Sequence, residues 1–130
     1  MNALIQEWIE KAESDFATAT RERRVRKSPN FDAVCFHAQQ CIEKYLKAIL
    51  VTHQKPFQKT HDLEFLLTEI LTIYPSLEAS REDFQLLTQY AVHYRYPGES
   101  ADKEEANEAM TVAKRVRKEL RFLMNLPPRH

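Results

Sequence analysis

A single glycine, Gly98, occurs in the 130 residues. Turn-rich β architectures draw on glycine for backbone conformations that other residues resist, so a sandwich or barrel is excluded. No apolar run is long enough for a bilayer. The opening segment, MNALIQEWIEKAE, is acidic and amphipathic, and lacks the basic stretch and apolar core of a secretory leader. The expectation is a soluble cytoplasmic protein. Charge of one sign is also missing. With 19 Lys and Arg against 19 Asp and Glu, no global field draws the chain to nucleic acid or an anionic membrane, and any such binding must come from a local patch. Cysteine is scarce: Cys35 and Cys41 fall on one expected helix, about 9 Å apart along its axis, and cannot pair there. They read as free, small core residues. The five histidines show no short paired spacing, so neither a metal nor another cofactor is expected.

What the chain has, almost throughout, is apolar spacing with helical period. The first helix should run from Asn2 to about Arg24, with Leu4, Ile5, Trp8, Ile9, Ala12, Phe16 and Ala19 on one face and Asp15 at its edge. Ser28, Pro29 or Asn30 should start a second helix reaching about His53. Thr60 or Asp62 can cap a short third one through Leu63, Leu66, Leu67 and Ile70. Ser80 to Asp83 has the form of a capping box for a helix ending near Tyr94, before Pro97-Gly98. The last helix should begin near Ser100, acidic in its first turns and basic in its last. The expected fold is all-α: an antiparallel up-down four-helix bundle with one additional short helix. Residues 1–124 form the domain and 125–130 a frayed tail.

Four stretches hold chemistry worth testing. In HAQQCIEKYLKAIL, residues 37–50, Gln40, Glu43, Lys44 and Lys47 gather opposite an apolar face. That band is either a solvated stripe or one wall of a site. RERRVRK, from Arg21 to Lys27, either complements the end of the first helix or contacts phosphates. KTHD places Lys59 and His61 at a helix start, where backbone N–H groups favour an anion. HYRYPGE sets Arg95 between Tyr94 and Tyr96, able to grip phosphate beside a stacked base or to plug the bundle.

Taken in order, Asp15, FHAQQCIEKYLKAIL, KTHDLEFLL and YRYPGE resemble the HEPN family, small helical domains named for presumed nucleotide binding. The resemblance implies a four-helix bundle with an extra short helix, commonly dimeric, and often encoded beside a minimal nucleotidyltransferase as a toxin–antitoxin pair. Ribonuclease members of the family carry Arg, four to six residues, then His. Here His93 has Thr88 and Leu87 where the arginine should stand, so that motif is not found.

The function expected is therefore binding of a nucleotide or other phosphate-bearing ligand, with a nucleotidyltransferase as possible protein partner. Lys47, Lys59, His61 and Arg95 would meet phosphate, Tyr94 or Tyr96 would stack a base, and Glu43 or Asp15 would orient the basic groups. The alternatives are a metal-independent ribonuclease acting on RNA through His93, Arg95 and His61, and a non-catalytic dimeric adaptor. A homodimer is expected because Trp8, Phe16, Phe36, Tyr45, Leu46, Leu50, Phe84, Tyr90 and Tyr94 offer more apolar bulk than one small bundle should cover.

Overall fold

The computed structural model describes residues 2–57, 59–93 and 96–129, and for His93 only the backbone. Five α-helices and one 3-10 segment make up the ordered elements: α1 (Ala3–Arg24), α2 (Phe31–Thr52), α3 (Leu63–Ile70), the 3-10 segment (Pro75–Ser80), α4 (Arg81–His93) and α5 (Lys103–Leu123). No strand occurs among the described residues, and no helix is long and apolar enough to cross a membrane.

Side-chain pairs give the helix directions. Trp8, Glu13 and Asp15 of α1 meet Lys47, Tyr45 and His37 of α2, so these two helices run antiparallel. Glu13 and Arg23 meet Arg117 and Asn107, and Asp83 meets Arg115; α5 is antiparallel to α1 and α4. The chain direction alternates through α1, α2, α4 and α5. Central to the core is α2, with Val34, Cys35, Ala38, Cys41, Ile42, Tyr45, Leu46, Ile49 and Leu50 inaccessible or nearly so. Around it pack Ile5 and Ile9, Leu63, Leu66, Leu67 and Ile70, Phe84 and Leu87, and the α5 stripe Ala106, Ala109, Ala113, Val116 and Leu120.

The helix caps settle the alternatives left by the sequence reading for local reasons. Asn30, not Ser28 or Pro29, caps α2 by accepting from Ala33 N at 3.0 Å. Asp62 caps α3, while Thr60 Oγ1 accepts from Asp62 N. Ser80 instead donates its hydroxyl to Glu119 at 3.1 Å, because a 3-10 segment runs straight into α4. Full reciprocal capping occurs at α5, where Asp102 and Glu105 each accept from the other's backbone N–H. Gly98 has φ of +91° in a turn closed from Glu99 N to Tyr96 O, a place only glycine takes without strain.

Of the apolar side chains expected at an interface, Tyr45, Leu46, Leu50 and Phe84 are fully buried within one chain, whereas Trp8, Phe16 and Tyr90 are half-buried and Phe36 is exposed. A broad arc on α2 is what a helix surrounded by four others requires, not evidence of a second copy. In the tail, Arg121 donates to Pro127 O at 2.7 Å and Arg117 to Arg129 O at 3.0 Å, bringing it back along α5.

Candidate functional site

The polar band of α2 is not a solvated stripe, since Gln39, Gln40, Glu43 and Lys47 are all buried. A buried carboxylate needs partners for its lone pairs, and Glu43 has them on both oxygens. Lys47 Nζ, one turn on, donates to Oε2 at 3.0 Å; His61 Nδ1 lies 2.9 Å from Oε1, which the Gln39 and Gln40 amides also reach at 3.2 and 3.4 Å. Lys47 is roofed as well: its Nζ sits 5.6 Å from the Trp8 ring centre and 5.9 Å from that of Phe57, and those rings meet edge to face.

His61 is held differently. Its Nδ1 faces an acceptor and so carries the proton, its carbonyl accepts from Gln39 Nε2 at 2.9 Å, and yet 61% of the side chain is exposed. The cluster thus presents an oriented imidazole edge, Nε2 outward, at the entrance to α3. Lys59 is exposed two residues earlier, and Tyr96 is exposed too. Tyr94 and Arg95, and the side chain of His93, lie outside the described residues.

Asp15 does not join this cluster. It is buried between α1 and α2, with His37 Nδ1 at 2.7 Å from one oxygen and Lys44 Nζ donating to the other. His37 and Lys44 are two turns apart on the side of α2 that meets α1, whereas Glu43 faces the loop bearing Phe57 and His61. The spacing of Asp15 to the apolar face was visible in the sequence; its partner across the helix pair was not.

A third group, missed from the sequence, centres on Glu13. Arg117 donates to both its oxygens at 2.7 Å, Tyr45 donates its hydroxyl to it, and Arg121 donates to the tyrosine oxygen at 2.8 Å. Burial raises the Glu13 carboxyl, but the bonds from Arg117 and Tyr45 outweigh it and hold the group below its ordinary value. Burial and the bond to Glu13 push the Tyr45 phenol up. The one signal was opposite charge breaking two apolar stripes, at Glu13 beside Ala12 and at Arg117 beside Val116. Every oxygen of Glu13 is engaged within the chain, which makes the group a strut between α1, α2 and α5. Cys35 and Cys41 are free and buried, and burial, with Glu105, Asp32 and Asp102 nearby, pushes the Cys35 thiol up to about 12. Among the described residues no three His, Cys, Asp or Glu side chains assemble into a group that could hold a metal.

The model of the HEPN domain matches residues 5–123, nearly the whole chain. The chain belongs to the HEPN family. Two solved structures share the fold: that of TT1696 from Thermus thermophilus, at a TM-score of 0.76 and 23% identity over 93% of this chain and 96% of that one, and that of ST0689, an archaeal HEPN homologue, at 0.73 and 22% over 92% and 97%. No curated protein matches the chain. At these identities the likeness to the two structures concerns the HEPN fold.

Proposed function

We propose that this HEPN domain binds a nucleotide or another phosphate-bearing ligand at the exposed edge of His61. The observation that supports it most is the contrast within one cluster: Glu43 and Lys47 are buried and mutually satisfied, while His61, fixed by the same carboxylate, is mostly exposed. Such an arrangement costs side-chain freedom and serves to aim an imidazole at something outside the fold. Lys59 and the start of α3 add positive potential on the same side, and Arg95 and the tyrosines beside it are the further candidates for phosphate and base. Lys47 acts in this reading by balancing Glu43 beneath Trp8 and Phe57 rather than by touching the ligand.

The ribonuclease alternative, which would use His93, Arg95 and His61, gains nothing from the described geometry: the arginine that should precede His93 is Thr88 or Leu87. The reading extends to a homodimer working with a nucleotidyltransferase, on the strength of the family resemblance; light scattering should then give the mass of two chains, and a monomer mass would remove the dimer. Calorimetric titration with ATP tests the site itself. Saturable binding is expected, weakened about tenfold or more by His61→Ala through loss of a charge-assisted hydrogen bond. No heat at millimolar ATP, or equal affinity in the variant, contradicts the proposal.

A further inference from the structure

A recess of about 880 Å³ opens between the C-terminal half of α1 and α5, away from Glu43 and His61, with Arg23, Arg24, Arg26, Lys103 and Lys114 in its lining. Past Arg24 and Lys114 it meets a second of about 550 Å³, where Arg21, Arg117 and Arg129 enter. Lys114 and Arg117 also border a third, of about 450 Å³, which adds Lys118 and Arg121. The first two share Thr20, Arg24 and Lys114 and line the seam between the two helices, while the third lies between α5 and the tail.

The groove's charge is one-sided in a chain whose charges sum to zero. Among the described residues the only carboxylate in the three linings is Glu13, whose two oxygens accept from Arg117 and also lie near Arg121 and Arg129. No hydrogen bond or ion pair among the described residues engages Arg24, Arg26, Lys103, Lys114 or Lys118. The complement of a simple helix end would be one or two cations in the last turn of α1; here cations of α5 and the tail face them across a cleft. The cleft is also pinned: Arg23 donates to Asn107, joining α1 to α5. Exposed cations on both helices, beside Arg117, Arg121 and Arg129 held at Glu13, make a surface that is stabilised by a polyanion that releases its counterions on binding.

What the groove lacks narrows the ligand. Proteins that hold single strands by their bases present free aromatic faces. Along the α1–α5 seam the Phe16 face is covered by the Arg117 guanidinium at 4.1 Å and Phe31 packs half-buried against the core, while the exposed Phe122 ring belongs to the recess between α5 and the tail. The Thr20 and Thr111 hydroxyls donate to the carbonyls of Phe16 and Asn107, which leaves the cations and the Asn107 amide nitrogen as the donors that the seam offers.

We propose that the α1–α5 groove binds a linear chain of phosphates, read by charge and not by base stacking. Inorganic polyphosphate and the backbone of a single-stranded nucleic acid both present that chemistry. The site is independent of the one at His61.

The test is binding of a short inorganic polyphosphate and of a labelled oligouridylate to the full chain over a salt series, with poly-glutamate of matched charge as control. At least one phosphate polymer should bind at low salt, and log K should fall linearly with log salt at a slope of about −3, as for roughly four engaged phosphates. Polyphosphate alone would identify the inorganic source; binding of oligouridylate would identify the nucleic-acid backbone. The double variant Arg24→Ala/Lys114→Ala, both positions exposed, should weaken binding about tenfold or more and flatten the slope at unchanged melting temperature. Failure of both polymers to bind at low salt, equal binding by poly-glutamate, or undiminished binding by the double variant would each overturn the proposal.

Discussion

Glu13, Asp15 and Glu43 are three buried carboxylates within one small domain, and their partners separate their roles. Glu13 is enclosed by Arg117, Arg121 and Tyr45, with the half-exposed Arg129 at its rim. Asp15 ties His37 and Lys44 across the α1–α2 contact. Glu43 alone ends in a mostly exposed imidazole. For Glu13 the energetics are direct: removing it leaves two buried guanidinium groups uncompensated, so Glu13→Ala should cost about 3–5 kcal/mol, read as a fall in melting temperature. The sign with pH follows from its depressed folded-state value. Its contribution is present above the ordinary value of about 4.5 and is lost as the pH falls below that, toward the folded-state value. The melting temperature of the wild type should therefore drop more steeply on acidification through that range than that of Glu13→Gln. Equal slopes would mean that the network adds nothing to stability.

At the scale of elements, the helices were legible because each carries a long apolar stripe and a stop signal. Asn2, Asn30 and Asp62 stand one residue before α1, α2 and α3, with side chains short enough to cap. The start of α4 misled because Ser80-Arg81-Glu82-Asp83 has the spacing of a capping box, while the 3-10 segment before it frees Ser80 for Glu119. α5 carries the strongest cap, and Asp102→Ala should lower stability by about 1 kcal/mol in denaturant unfolding, with no change in the cooperativity of the transition. An unchanged midpoint would show the reciprocal bonds to be idle. The candidate site was half legible. Glu43 and Lys47 declare themselves by helical spacing, and His61 by its place before α3, but whether a polar band is buried depends on what covers it. Trp8 and Phe57, from two other parts of the chain, supply that cover, and no local pattern announces a long-range contact. The Glu13 network was illegible for the same reason: Arg117 lies 104 residues away in the sequence.

For the whole molecule, a neutral chain has sorted its polar groups into two distinct regions. One is a compact acid–base cluster at His61, nearly saturated except at its outer edge; the other is a basic groove between α1 and α5. The folded-back tail links the second to the Glu13 strut, through Arg117 to Arg129 O and Arg121 to Pro127 O. The two regions make separable demands on a ligand. A mononucleotide carries a short phosphate cluster, which suits one oriented imidazole; an extended run of charge suits the groove. Mapping backbone amide chemical shifts during titration with ATP tests the central claim most directly. Shifts that saturate and centre on Lys59, His61, Glu43 and the residues around Tyr96 are the expected result. No saturating shift, or shifts confined to Arg24, Asn107 and Lys114 between α1 and α5, would contradict it.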